Sequence, residues 1–118
     1  MKHRDPESLL PLKPVVFQVL LSLVEGERHG YAIVQDIAER SSARLQLEPG
    51  NLYRTLRFML DEQLIEESDR RPAPEADDER RRYYRITRFG ERVAAAEASR
   101  LAAVVADARA RKLLKGRP

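Results

Sequence analysis

Residues 49–65 constrain the fold more than any other stretch of the chain. They begin Pro49-Gly50-Asn51, continue with helical periodicity, and run directly into an extended segment, Leu64–Ser68. At about 100° per residue, one side of this helix collects Leu52, Leu56, Met59, Leu60 and Gln63, and the other Arg54, Arg57, Phe58 and Asp61. The pattern predicts a helix that buries one face and presents arginines on the other.

The two ends of this helix carry their own signals. Asn51 is predicted to be its N-cap, because an asparagine side chain accepts a hydrogen bond from a free backbone N–H of the first turn. Tyr53 lies at the boundary between the two faces. Gln63 stands just after the helix and before the predicted strand.

The remaining elements are shorter or simpler. Helices are predicted over about 13–24, 30–41 and 88–112, and strands over 64–68 and 82–86. The residues between the strands, 69–81, are predicted to form an exposed hairpin tip. The chain is predicted to begin with a flexible segment, 1–11, and to end with a basic tail, 113–118. Pro14 suits the first turn of its helix. His29 is predicted to cap the second helix and Thr87 the last one. Leu9 and Leu10 are expected to pack on the body of the protein.

Composition narrows the function classes. The 118 residues suffice for one domain, 35% of them are charged, and the formal net charge is only +3. The chain has no cysteine, and its two histidines are His3 and His29. We therefore expect no disulfide, no metal site, no cofactor and no enzyme chemistry, since neither a nucleophile–base pair nor a phosphate loop is visible. No apolar run approaches the roughly 20 residues of a membrane span, which predicts a cytoplasmic protein.

The order of helix, helix, helix, strand, charged hairpin and strand is that of a winged helix-turn-helix. The predicted fold class is therefore mainly α with a small β-hairpin, with residues 12–87 as the winged helix-turn-helix and 88–112 as one long C-terminal helix. That last helix is longer than so small a domain can cover, which favours a dimerisation arm. A short helix carrying arginine outward has the shape and charge to enter a DNA major groove.

Four blocks of sequence resemble the PadR family of bacterial transcriptional regulators. They are His29-Gly30-Tyr31, Gly50-Asn51-Leu52-Tyr53-Arg54-Thr55-Leu56, Leu64-Ile65-Glu66, and Arg81-Arg82-Tyr83-Tyr84-Arg85-Ile86-Thr87. The blocks keep the family's order and spacing over about residues 12–90. The single helix after the wing is similar to the shorter PadR subfamily, in which that helix mediates dimerisation.

The resemblance implies a set of DNA contacts. The helix after residue 48 would be the recognition helix, and its contacts to phosphates and base edges would come from Asn51, Tyr53, Arg54 and Arg57. Gly30 and Tyr31 match family positions near the phosphate backbone, where the positive end of a helix and a phenol hydroxyl can hold an anion. Arg81 and Arg82, at the base of the wing, would reach a flanking groove.

Three features depart from the family. Gln63 replaces the glycine that is usual before the first strand, at a position where we expect a positive φ. Phe58 stands where members commonly carry a polar or basic residue, and three roles remain open for it: contact with a partner subunit, cover for Tyr53, or contact with a thymine methyl. The wing tip carries Glu75, Asp77, Asp78 and Glu79, which phosphate would repel. Only its basic rims, Arg70-Arg71 and Arg80-Arg81-Arg82, are therefore expected to approach DNA.

Two functions from different classes follow. The leading one is a homodimeric repressor that binds double-stranded DNA at an inverted repeat, with half-sites about one helical turn apart. The alternative is a winged-helix module that binds another protein and no specific DNA. The resemblance also implies release from DNA by a small molecule in some members, but the sequence identifies no effector, operator or regulated gene.

Overall fold

The computed structural model describes residues 4–68 and 82–115. Within these ranges the helices are α1 (Pro14–Val24), α2 (Gly30–Arg40), α3 (Pro49–Asp61) and α4 (Arg88–Ala110), the strands are β1 (Arg28–His29), β2 (Ile65–Glu67) and β3 (Tyr83–Ile86), and a 3-10 helix covers Pro6–Leu9. No helix in the described part of the chain is both long and apolar enough to cross a membrane. The predicted hairpin tip, residues 69–81, and the end of the basic tail, 116–118, lie outside the described residues.

The predicted fold class, mainly helical with a small antiparallel sheet, is confirmed. The sheet has the strand order β1-β3-β2. Strand β3 pairs with β2 in the register Ile65↔Ile86 and with β1 through His29↔Tyr83. The sequence predicted only the two wing strands. It missed β1 because a two-residue strand is too short to show an alternating pattern.

Helix α1 lies at the centre of the molecule and contacts α2, α3, α4 and β3. Its buried side chains are Val16, Val19, Leu20, Ser22 and Leu23. Pro14 occupies the first turn, as predicted. The apolar stripe of α1 is not buried to the end of the helix, because Val24, the last helical residue, is 51% exposed.

The described part of the N-terminal segment predicted to be flexible makes defined contacts with the rest of the protein. The 3-10 helix packs against α4, and Leu9 and Leu10 pack against the core. Arg4 donates to the Glu62 carbonyl oxygen at 2.7 Å and to its carboxylate at 2.6 Å, and its guanidinium lies 4.7 Å above the ring of Phe89. Leucine burial and this arginine anchor the segment across the end of α3 and the start of α4.

Helix α3 begins earlier than predicted. Its N-cap is Glu48, with φ −74° and ψ 147°, and Pro49 takes the first helical position. Proline is favoured there because its fixed φ is already helical and its missing N–H would have no intrahelical acceptor. Asn51 is therefore not the N-cap but an exposed residue of the first turn.

The end of α3 is a Schellman motif. The Leu64 N–H donates to the Met59 carbonyl at 2.9 Å, and the Gln63 N–H donates to the Leu60 carbonyl at 3.0 Å. Gln63 has φ 63°, which confirms the predicted positive value. The left-handed conformation costs a side-chain-bearing residue about 1 kcal/mol, and it turns the chain from the helix directly into β2.

Helix α4 is fixed to the turn after α3 through its first residues. Thr87 is the N-cap, as predicted: its Oγ1 accepts from the Gly90 N–H at 2.9 Å and donates to the Gln63 carbonyl at 2.7 Å. The Thr87 N–H donates to the Leu64 carbonyl at 3.0 Å. A Cβ on Gly90 would lie 2.1 Å from that same carbonyl oxygen. The close approach of α4 to β2 therefore requires glycine.

Buried Glu97 fixes the middle of α4 to the N-terminal segment. It is 2% exposed, and its carboxylate accepts from the Leu12 N–H at 3.3 Å and from Arg100 at 2.6 and 3.0 Å. The hydrogen bond from Arg100 lowers the pKa of Glu97, and it outweighs burial, which acts in the opposite direction. The ionised form is thus the one that the fold stabilises.

Beyond Arg100, α4 extends away from the body. Val104 and Val105 are 51% and 39% exposed, and Leu113 and Leu114 after the helix are also exposed. At 1.5 Å per residue the whole helix is about 35 Å long. Its outer half thus presents an apolar face without a covering element in the described part of the chain.

Glycine substitutions test the contact between α4 and β2. Gly90→Ala is expected to lower the free energy of unfolding by about 1–3 kcal/mol, because the added methyl overlaps a fixed carbonyl. The matched control is Gly50→Ala in α3, where the nearest atom lies 3.8 Å from the added Cβ. That variant is expected to gain about 0.4–1 kcal/mol from the reduced entropy of the unfolded chain. Urea unfolding of both variants measures the difference, and an unchanged Gly90→Ala midpoint would contradict the packing.

Candidate nucleic-acid interface

The exposed side of α3 carries polar and basic side chains in its first three turns. Asn51, Arg54 and Arg57 are all exposed, and the Arg54 guanidinium donates to the Asn51 side-chain oxygen at 2.8 Å. This bond joins residues one turn apart and holds Arg54 along the helix surface. The burial pattern agrees with the sequence analysis, because Leu52, Leu56 and Met59 form the buried side.

The arginines of α3 differ in their partners from Arg82, which precedes β3, and Arg85, which lies in it. Arg82 pairs with Glu67 at 3.2 Å, and Arg85 pairs with Glu66 at 2.7 Å. Within residues 4–68 and 82–115, Arg54 and Arg57 form no ion pair with a carboxylate. No carboxylate in the described part of the chain holds either guanidinium, so both are available to an anionic ligand.

Tyr53, an implied DNA contact, lies at the boundary between the two faces of α3, where the helical pattern placed it. It is half-buried and packs against the core. Together with Arg57, Glu67 and Arg82 it lines a cleft of about 310 Å³ between α3 and the wing strands. The structure thus brings three of the predicted site residues, Tyr53, Arg57 and Arg82, to one cleft. Arg81 and the acidic wing tip lie outside the described residues.

The start of α2 is built around His29. Its Nδ1 accepts from the Ala32 N–H at 3.1 Å, which confirms the predicted capping role. A ring nitrogen that accepts carries no proton, so the remaining ring proton belongs to Nε2. The His29 ring stacks on Tyr31, with centroids 6.5 Å apart, and meets the Tyr83 ring edge-on at 5.4 Å. This cluster joins the first turn of α2 to β3.

Gly30 and Tyr31 occupy different environments within that turn. Gly30 is buried, whereas Tyr31 is 61% exposed and presents its phenol next to the positive end of α2. That end carries backbone N–H groups that no helical carbonyl reaches, so it favours a negative charge. Gly30 contributes through its backbone, and Tyr31 can contribute a hydroxyl donor.

A polar network that the sequence analysis did not identify fixes α2 to α1. Arg40 donates to the side chains of Gln18 at 2.6 Å, Ser22 at 2.9 Å and Asp36 at 2.8 Å. Burial raises the pKa of Asp36, but hydrogen bonds from Arg40 and Ser22 and the charges of Arg40 and Arg28 outweigh it, so the net pKa is lowered. Asp36 and Arg40 have a charged pattern typical of a solvated helix surface, and only the packing reveals their partners.

The described residues contain no group of three or more histidine and acidic side chains that could hold a metal ion. What the surface offers instead is cationic and hydrogen-bonding groups on α3, at the start of α2 and on β3. Helices α2 and α3, followed by the antiparallel strands β2 and β3, form the fold of winged helix-turn-helix proteins.

The chain belongs to the PadR-like family of transcriptional regulators, whose sequence profile matches residues 19–96. The family consists of transcriptional regulators and not of enzymes. No curated protein matches the chain significantly.

Solved structures show the same fold. A PadR family transcription regulator from Clostridium difficile matches with a TM-score of 0.68 and 18% identity over 82% of this chain and 96% of that one. A transcriptional regulator from Clostridium thermocellum matches with a TM-score of 0.67 and 22% identity over 86% and 93%. A PadR-like regulator from Bacillus cereus matches with a TM-score of 0.66 and 21% identity over 87% and 93%.

Substitution of His29 tests how the start of α2 is held. His29→Ala is expected to lower the free energy of unfolding by about 1 kcal/mol, because the Ala32 N–H loses its acceptor. His29→Asn is the matched control, since asparagine is a good N-cap and is expected to recover most of that loss. Thermal unfolding followed by circular dichroism compares the three proteins. Equal losses in both variants would mean that ring packing on Tyr31 and Tyr83, and not capping, is the main contribution.

Proposed function

We propose that this protein is a homodimeric transcriptional repressor that binds double-stranded DNA through α3. The observation that carries the proposal is the pair of exposed arginines, Arg54 and Arg57, which lie on the face of α3 opposite the core and lack carboxylate partners among the described residues. Arginine can contact phosphate or pair bidentately with guanine in the major groove. Family membership supports the same conclusion.

The neighbouring groups extend the proposed interface. The start of α2 would place its N–H groups, including that of Gly30, and the Tyr31 hydroxyl against a phosphate. Arg82 and Arg81 would approach the adjoining groove from the wing. Tyr53 would act from its half-buried position beside Arg57. Asn51, bonded to Arg54, would help orient that guanidinium toward a base or a phosphate.

The proposed dimer is supported by the outer half of α4. Val104 and Val105 are exposed on a helix that projects past the body of the protein. An apolar face of this kind is best covered by the same face of a second copy, in an interface with twofold symmetry. Two α3 helices related by that axis would then enter successive major grooves of an inverted repeat, about one helical turn apart.

DNA binding is tested by titration of a fluorescent duplex at two or more salt concentrations. Arg54→Ala and Arg57→Ala are each expected to weaken binding at least about tenfold, and each is expected to reduce the salt dependence, because fewer counterions are released. Arg111→Ala, an exposed arginine beyond the end of α4, is the matched control and is expected to bind as the wild type does. If both α3 variants keep the wild-type affinity and salt dependence, α3 is not the contact surface. If the wild type binds no duplex at low salt, the protein-interaction function replaces this one.

The dimer is tested by placing a charge on the outer half of α4. Val104→Glu is expected to weaken dimerisation at least tenfold, because an unpaired carboxylate buried in an apolar interface costs several kcal/mol. Ala106→Glu adds the same charge on another side of the helix, and we expect it to leave the dimer intact. Sedimentation equilibrium at micromolar concentrations separates the two states. A monomeric wild type, or a dimer that tolerates Val104→Glu, would contradict the proposed arm.

A further inference from the structure

Phe58 is a large apolar side chain on the exposed side of α3. It is 43% exposed, whereas Tyr53 and Leu60 on the same helix pack against the core. Among the described residues its ring makes no stacked, edge-on or cation–π contact. Cover for Tyr53, one of the roles that the sequence left open, is thus not supported by a ring–ring contact among the described residues.

The position of Phe58 on the helix places it in line with the proposed DNA contacts. Asn51, Arg54 and Phe58 follow one another at intervals of three and four residues, so they form one stripe along α3. Phe58 lies one turn beyond Arg54, which is about 6 Å along the helix axis. That distance corresponds to about two base-pair steps of 3.4 Å.

The charges around Phe58 make DNA a better occupant than an apolar protein surface. Arg54 and Arg57 precede it and would draw the helix toward phosphate, whereas Asp61 in the following turn would be repelled. Phe58 is therefore the last residue of the stripe that can lie deep in the groove. A phenyl ring offers no hydrogen bond, and the one apolar group on a base edge in the major groove is the thymine C5-methyl.

We propose that Phe58 is a specificity-determining residue that contacts the C5-methyl of one thymine in each half-site. This inference rests on the proposed function, because it requires α3 to enter the major groove. The thymine is expected within about two base pairs of the position that Arg54 contacts. The arginines would then supply most of the affinity, and Phe58 would supply selection for thymine over cytosine and uracil.

The experiment removes the methyl group without changing base pairing. A duplex that the full chain binds is first selected from a random library, and each thymine of its half-sites is then replaced in turn by deoxyuridine. For the wild type, one replacement made in both half-sites is expected to weaken binding by about fifteenfold, because burying a methyl-sized group changes affinity about fourfold in each half-site. For Phe58→Ala the same replacement is expected to change the dissociation constant less than twofold.

Two further variants complete the design. Phe58→Leu keeps an apolar side chain and is expected to retain most of the dependence on the methyl group. Leu45→Ala is the matched control: Leu45 is 41% exposed, close to the exposure of Phe58, but lies before α3. We expect it to leave the dependence unchanged.

The outcomes separate the inference from the function on which it rests. Failure to select any duplex would overturn the proposed function and this contact with it. DNA binding in which Phe58→Ala keeps the wild-type response to deoxyuridine would overturn the contact alone. A selected site without thymine near the Arg54 position would do the same. Loss of the dimer in Phe58→Ala, with the methyl dependence intact, would assign Phe58 to the partner subunit.

Discussion

The fold depends on the meeting of three elements at the turn that ends α3. The Leu64 carbonyl accepts from the Thr87 backbone, the Thr87 hydroxyl bonds the Gln63 carbonyl, and Gly90 lets α4 approach to contact distance. The first two of these contacts each give a backbone carbonyl of the turn a hydrogen-bond donor. Because β2 starts here and β3 ends here, this turn sets the orientation of the wing strands and of α4 relative to α3.

These contacts connect the proposed recognition helix, α3, directly to the proposed dimer arm, α4. The α3 helix ends at residue 61, and α4 begins at residue 88 in contact with the same turn. Glu97 and Arg4 add two further attachments, from the N-terminal segment to α4 and to the end of α3. In a dimer, a stiff connection of this kind would fix the separation of the two α3 helices, and hence the spacing of the half-sites that they fit.

Much of the fold could be predicted from residues whose constraints are local. The helical periodicity of residues 52–60, the cap at Thr87, the positive φ at Gln63 and the capping role of His29 each depend on neighbours in the chain. Three features could not be predicted, because their partners are distant in sequence. Strand β1 exists through pairing with Tyr83 and Tyr84, Arg4 is ordered by Glu62 and Phe89, and Arg40 bonds residues of α1. Asn51 failed as an N-cap for a local reason: Pro49 already occupied the first helical position.

The proposed site, like the fold, could be predicted from the sequence only in part. The burial pattern of α3 separated Arg54 and Arg57 from the core, as expected for an amphipathic helix. The half-burial of Tyr53 agrees with its place at the boundary of the helical pattern, but the cleft that it forms with Glu67 and Arg82 depends on residues distant in sequence.

The proposal that α3 is the DNA-contacting surface is tested most directly by a residue-by-residue map of the complex. Backbone amide resonances of the isotope-labelled protein would be followed by nuclear magnetic resonance while a selected duplex is added. The largest shifts are predicted in α3 from Gly50 to Phe58 and at the first turn of α2, with smaller ones in the outer half of α4. Shifts concentrated on α4 or on the N-terminal segment, with α3 unchanged, would contradict it.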